Sequence, residues 1–349
     1  MRKLILLIIF LPFVCMAQMD TEEESTSYEW LNSPVCFPQS DFVIGLNLFA
    51  AVDMPFAVND VLNKRADDSL VFNVPKLFAH LDERVNFFVN TKTQVFYFGM
   101  KLGSKRRNYV SLSNDVITYF DLEFNKDVLD YLINGNHKYI GQEVIQNRRG
   151  LGFTAYNSLA LSFARQVNPK LIVELKAKYL TGLINVQFER FNLNLFSNHP
   201  SQGEALFTEM AYDLLVNTSS IDENSAQDFM SNKGYAFDIG VDYALNDQTH
   251  LVAAVNDIGF INWDISNNQS FKLDSVLRIE SLFDPSNEEE DIGEQIQANL
   301  DSLGDQFVMD TLYTSYRTNL PLQMFVGAYY QINEKQNCSF LAHSIVQGD

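Results

Sequence analysis

Apolar and polar positions alternate with period two through most of this chain. The segments run about ten residues or more and are rich in Phe, Tyr, Val and Leu, a pattern that predicts β-strands with unlike faces. Between Gln94 and Leu102, Phe96, Phe98, Met100 and Leu102 form one face and Val95, Tyr97, Gly99 and Lys101 the other. After Lys170, Leu171, Val173, Leu175, Ala177 and Tyr179 alternate with Ile172, Glu174, Lys176 and Lys178. After Gly234, Phe237, Ile239, Val241 and Tyr243 alternate with Ala236, Asp238, Gly240 and Asp242. Strands between lipid and a wet lumen need such faces, and so do half-buried strands of a soluble sandwich. Length favours the first. Asn108 to Phe124 and Lys170 to Phe188 exceed the roughly 5–6 residues of globular strands.

The connections carry topology. Three tight turns each place a hydrophobic residue before Asn: Val167-Asn168-Pro169-Lys170, Leu245-Asn246-Asp247-Gln248 and Ile332-Asn333-Glu334-Lys335. Asn and Pro supply the backbone conformations of such turns. A fourth short connection, Gly103 to Asn108, carries Lys105, Arg106 and Arg107 at its tip. Long connections lie between them, at 53–93, 125–150, 187–233 and 264–314. Strict alternation of short and long predicts an up-and-down barrel with short periplasmic turns and long outer loops. A Greek-key sandwich has no reason to sort loop length by parity.

The expected fold is therefore all-β, an antiparallel up-and-down transmembrane β-barrel with long extracellular loops. About nine strands are predicted from Asp41 onward, the last being Cys338 to Val346. Bacterial single-chain barrels have even strand numbers, and the chain closes on Gln347-Gly348-Asp349 without a terminal aromatic. The expectation is a barrel truncated at its C-terminus, or one whose last strands come from elsewhere, since an open edge is costly in lipid.

Composition adds an export signal. Arg2 and Lys3, the apolar run Leu4 to Val14 and Cys15-Met16-Ala17 read as a signal peptide, residues 1–17, cleaved before Gln18. Its apolar run is far short of the roughly 20 residues a spanning helix needs. Lipidation at Cys15 is disfavoured by Pro12-Phe13-Val14, which makes a poor lipobox. A mature segment, 18–40, then precedes the barrel domain, 41–349. Loss of Arg2 and Lys3 lowers the net charge from −19 to −21, which argues against nucleic acid as a partner. Cys36 and Cys338 make no disulfide framework, and a single bridge between them stays open.

Several segments carry a resemblance. They are Asp121-Leu122-Glu123-Phe124-Asn125-Lys126-Asp127, Asn134-Gly135-Asn136-His137-Lys138-Tyr139-Ile140-Gly141 and Leu175-Lys176-Ala177-Lys178-Tyr179-Leu180-Thr181-Gly182. Gly234-Tyr235-Ala236-Phe237-Asp238-Ile239-Gly240 and Asn256-Asp257-Ile258-Gly259-Phe260-Ile261-Asn262-Trp263 complete the set. Over about residues 41 to 345 the chain resembles an uncharacterised family of Bacteroidota outer-membrane barrels, a domain of unknown function. More distantly it is similar to fatty-acid-transporter-like barrels and to the membrane component of the type IX secretion system. The resemblance implies an outer-membrane barrel without an assigned activity.

Candidate chemistry is sparse. His80, His137, His199, His250 and His343 show no metal-ligand spacing, and no Cys-x-x-Cys or Gly-x-Ser-x-Gly occurs. The expectation is no enzyme, no catalytic residue, no metal and no cofactor. Gly150-Leu151-Gly152-Phe153 lacks the Lys and helix of a nucleotide loop and reads as a strand entry. Glu174, Lys176, Lys178, Asp238 and Asp242 are the lumen-facing candidates, where charge tunes which solutes bind or pass, or merely solvates a wet interior. Glu280 to Asp310 holds ten carboxylates and no Lys or Arg. It reads as a solvated outer loop, with Ile292, Ile296, Leu300 and Leu303 at helix-like spacing. Asp followed by Ser or Thr and an aliphatic residue recurs at Asp68, Asp274, Asp301 and Asp310, similar to a Bacteroidota O-glycosylation signal. The expected partners are outer-membrane lipid and either a small solute moving through the lumen or a secretion partner held by the acidic outer loops.

Overall fold

The computed structural model describes residues 35, 37, 38, 40–56, 61–64, 70–199, 207–219, 231–279, 310–333 and 336–346. The signal-peptide region, Cys36 and the acidic stretch 280–309 with its expected helix lie outside these residues.

The described residues form sixteen strands, two α-helices, α1 (Val74–His80) and α2 (Lys126–Asn134), and a short 3-10 helix, Ile265–Asn267. Fourteen of the strands join in one antiparallel sheet that curls as a half-barrel. Nine of these make the wall, each paired to the next: β1 (Phe42–Asp53), β4 (Arg84–Leu102), β5 (Asn108–Asn125), β7 (Gly150–Asn168), β8 (Leu171–Ser197), β10 (Lys233–Ala244), β11 (Thr249–Trp263), β15 (Leu322–Asn333) and β16 (Gln336–Val346). That path matches the nine predicted strands and their up-and-down order. Among the described residues, β1 and β16 each pair with a single neighbouring strand.

All four short connections fall at one end of the sheet, as the parity of loop lengths requires. Two of the Asn side chains act as expected, and the third turn, 332–335, lies partly outside the described residues. Asn168 Oδ1 accepts from Lys170 N at 2.8 Å, and Asn246 Oδ1 accepts from Gln248 N at 2.9 Å. Each side chain closes its turn in place of a backbone carbonyl. In the fourth turn Gly103 and Arg106 take positive φ, and Arg106 pairs with Asp41 at 2.5 Å.

The long connections differ from the sequence expectation, because much of them is ordered sheet. β4 begins at Arg84, and β8 continues to Ser197, 27 residues in all. Its first part pairs with β10. Its second part pairs with β9 (Thr208–Ser219), which in turn pairs with β12 (Asn268–Ile279). The Asp274-Ser275-Val276 tripeptide is thus mid-strand in β12, and Asp310-Thr311-Leu312 is the whole of β13. β6 (Glu143–Gln146) adds to the other side of β8, and β14 (Tyr316–Asn319) extends β11 beyond β15. The 126–149 connection packs α2 onto this outer sheet through Val128, Val144 and Leu195. Asn125 N donates to Gln146 Oε1 at 2.9 Å, and Gln146 Nε2 donates to the Glu123 carbonyl at 3.1 Å. β2 (Leu62–Lys64) and β3 (Leu70–Phe72) form a separate ribbon.

The outward face is apolar across the wall. Ile44, Phe98, Leu161, Leu175, Phe237, Ile239 and Val326 are all exposed. Gly150 begins β7 as expected, with φ +77 beneath the Phe191 ring. Several register shifts interrupt the ladders, and two of them bear on the inward face. At the first, Gln94 and Phe96 pair with consecutive residues of β5, and Val95 is turned outward, not inward as period two predicts. At the second, Asp238 lies opposite Asn256 and Asp257 together, and Asp257 takes φ +63. A bulge bends the strand and re-aims the side chain at the extra residue.

Candidate functional site

Inward positions of the wall carry charge, and the structure brings most of the predicted set together. Lys178 of β8 bridges Asp238 Oδ2 of β10 at 2.8 Å and Asp257 Oδ1 of β11 at 2.7 Å. Lys176 lies 3.8 Å from Glu174 and 3.9 Å from Asp238. Asp242 stands apart, lower in the wall, with its carboxylate 2.9 Å from His250 Nδ1. Four of the five predicted residues therefore form one cluster and the fifth belongs to another pair.

Sequence reasoning missed the residues that complete the cluster. Asp257 enters through the second bulge, where its own N–H donates to Asp238 Oδ1 at 2.8 Å. Its positive φ is a strained choice for a residue with a Cβ, tolerated best by Asn and Asp. Lys92 comes from β4, 3.5 Å from Asp115 of β5, and Asp115 also accepts from Gln94 Nε2 at 3.2 Å. The Lys92 side chain is 42 % exposed, against 11 % for Lys178, so it reaches open space inside the curl. No periodicity could place these residues beside Lys178, because the contacts join strands far apart in sequence. Three lysines here face four carboxylates: Asp115, Glu174, Asp238 and Asp257. Buried charges are sustained only when paired and hydrogen-bonded, and this set meets that condition largely within itself.

One link crosses the interior. Gln323 of β15 donates from Nε2 to Asp257 Oδ2 at 2.6 Å and to Tyr119 Oη of β5 at 3.1 Å. Tyr119 sits between Phe88 and Tyr156, with ring centroids 6.0 and 6.1 Å away. Leu180, Ile261, Trp263 and Leu320 pack into the same layer. Trp263 Nε1 donates to Thr318 Oγ1 at 2.9 Å, and Tyr316 donates to Asn185 Oδ1 at 2.7 Å. This layer fills the interior at the level where the wall meets the outer sheet. On its outer side opens a small cavity of about 60 Å³ whose floor and sides include Phe88, Tyr119 and Phe188.

The histidines are dispersed: His343 stacks on Phe325, and His80 contacts the Lys76 carbonyl. Among the described residues no group of three or more His, Cys, Asp or Glu is arranged for a metal. Cys338 is exposed on β16. No described helix is long and apolar enough to cross a membrane, which says nothing of strands.

No curated protein and no solved structure matches the chain. A family model described as "Family of unknown function (DUF5723)" matches residues 34–348, spanning every strand of the wall, and the chain belongs to that family.

Proposed function

We propose that this protein is an exported outer-membrane barrel wall whose interior holds a small solute, in a binding or transport role without catalysis. The observation that carries it is the contrast between the two faces of the nine-stranded wall. Large apolar side chains such as Phe237, 58 % exposed, point out, while Lys178, Asp238 and Asp257 pair within. A wall with water on both sides gains nothing from an apolar exterior, whereas lipid requires one. The short turns gathered at one end and the leader-like Arg2 to Ala17 agree with this orientation.

The reading is tested by fractionation and gel mobility of the full-length protein. Membrane association with heat-modifiable migration is the expected result, and recovery as a soluble monomer without detergent would refute it. Liposome swelling then separates transport from its rival. The rival role, presenting a surface to a secretion partner, draws support from the ordered outer sheet of β8, β9 and β12. Impermeability to every small solute, with a stoichiometric protein recovered on the outer sheet, would favour the rival.

A further inference from the structure

The short-turn end of the wall is basic, against the acidic character of the chain as a whole. Residues 103–108, 167–170 and 245–248 hold Lys105, Arg106, Arg107 and Lys170 against a single carboxylate, Asp247, in a chain of net charge −19. These turns form one continuous rim. Gln166 N donates to the Arg107 carbonyl at 2.8 Å, and Ala244 N donates to the Lys170 carbonyl at 2.7 Å. Arg165 adds a further cation at the foot of β7. Arg106 is taken up by Asp41, and Lys170 Nζ donates to the Leu245 carbonyl at 3.4 Å. Lys105, Arg107 and Arg165 are exposed, and among the described residues none of the three pairs with a carboxylate.

What these cations meet follows from their neighbours. Leu102, Val167, Leu245 and Ile332, between 41 and 52 % exposed, stand in or beside the turns of this end. Along the outward face of β7, Leu161 and Phe163 are exposed, and Arg165 comes next in the alternation. Aliphatic thus gives way to cationic within two residues of chain. A long stem against acyl chains with its charge in the headgroup layer needs that step. Guanidinium suits phosphate by donating two parallel hydrogen bonds, and cations near an anionic leaflet add their attractions. An acidic protein would account for the cations alone, whereas a leaflet accounts for the aliphatics beside them as well. We propose that this rim, through Lys105, Arg107, Arg165 and Lys170, binds the phosphate groups of anionic phospholipids in the leaflet at the short-turn end. The inference rests on reading the wall as membrane-embedded and adds which lipids it selects, and at which end.

The test is electron spin resonance on the full-length protein in phosphatidylcholine bilayers, with traces of spin-labelled phosphatidylglycerol or spin-labelled phosphatidylcholine as probes. The fraction of each probe held at the protein gives a relative association constant. Phosphatidylglycerol should be preferred roughly threefold or more at about 0.01 M salt. The preference should fall at about 1 M salt, where the Debye length shrinks from about 30 to about 3 Å. Replacing all three unpaired cations (Lys105→Gln, Arg107→Gln and Arg165→Gln) should bring the ratio close to one at unchanged gel mobility. Lys272→Gln, on the outer sheet, should leave it as it was. Equal association of the two probes with the unaltered protein would overturn the proposal and leave the membrane reading standing, as would a preference that the triple variant keeps. A preference erased by millimolar glycerol 3-phosphate would overturn it too, since the rim would then take free phosphate esters. Equal association together with polyglutamate binding that the triple variant loses would assign the rim to an acidic protein instead. Recovery as a soluble monomer without detergent would remove the membrane reading and this inference together.

Discussion

Replacing Lys178 with Met tests the charge cluster most directly. The substitution keeps the apolar stem and removes the one ammonium that touches both Asp238 at 2.8 Å and Asp257 at 2.7 Å. Asp238 would retain Lys176, 3.9 Å away, but Asp257 would keep only the neutral amide of Gln323, so its charge loses the Lys178 counter-ion. Removing one member of a buried pair costs about 3–5 kcal/mol, because a charge is left without compensation. Lys178→Met should therefore lower unfolding stability by about that amount, read as the shift in a urea titration followed by tryptophan fluorescence. Adding Asp238→Asn removes one of the stranded charges, so the double variant should be more stable than the single one, a coupling that distant sites do not show. The reasoning fails if Lys178→Met costs under about 1 kcal/mol, the worth of a surface pair, or if Asp238→Asn only adds to the loss.

Other outcomes follow from particular contacts. In Gly99→Ala the new Cβ would fall 1.9 Å from Tyr109 Oη, displacing the ring and the Tyr97–Tyr109 hydrogen bond of 2.9 Å; a loss of about 1–3 kcal/mol is expected in the same titration. Phe237→Lys should block membrane assembly at a cost of about 2–4 kcal/mol if that face meets lipid near the midplane, and near-normal assembly would count against the lipid-facing assignment. Asp130, on α2, is held below the usual carboxylate value: burial opposes this, but hydrogen bonds from Asn134, Tyr139 and Lys138 outweigh it. Its contribution is present above pH 3.8 and is lost as pH falls further through the depressed value. Hydrogen exchange at α2 should accelerate in that acid range, and Asp130→Asn should remove the dependence.

The wall was legible in the sequence because each of its strands announces itself locally. Leu175 and Lys176 declare opposite faces by adjacency alone, and Asn168 and Asn246 close turns with atoms two residues away. The bulges were not legible. One extra residue, Val95 or Asp257, shifts the count of a period-two pattern without leaving a composition signal. The outer sheet was hidden for a different reason. In β9 the run Leu214-Leu215-Val216 is apolar without alternation, and all three residues are half-buried, so period two leaves no mark there. The crossing of Gln323 to Tyr119 spans 204 residues of chain and depends on how tightly the sheet curls. Four of the five inward charges found one another, while Asp242 paired with His250, because neighbouring strands fix which inward positions share a level.

β8 belongs to two structures at once. Its lower residues hold Lys176 and Lys178 in the wall, and its upper residues, from Asn185 to Ser197, form the seam of the outer sheet. At roughly 3.3 Å per residue a 27-residue strand is a continuous beam about 90 Å long. A hinge in a loop would let the outer sheet swing while the wall stayed still; a paired strand running through both confines any bend to its register shifts at Gly182–Ile184 and Phe188–Arg190. Load applied to β9 or β12 is therefore carried as shear along the ladder of β8 into the registers it shares with β7 and β10. A tug at the exterior and a displacement at Lys178 are then two ends of one mechanical event.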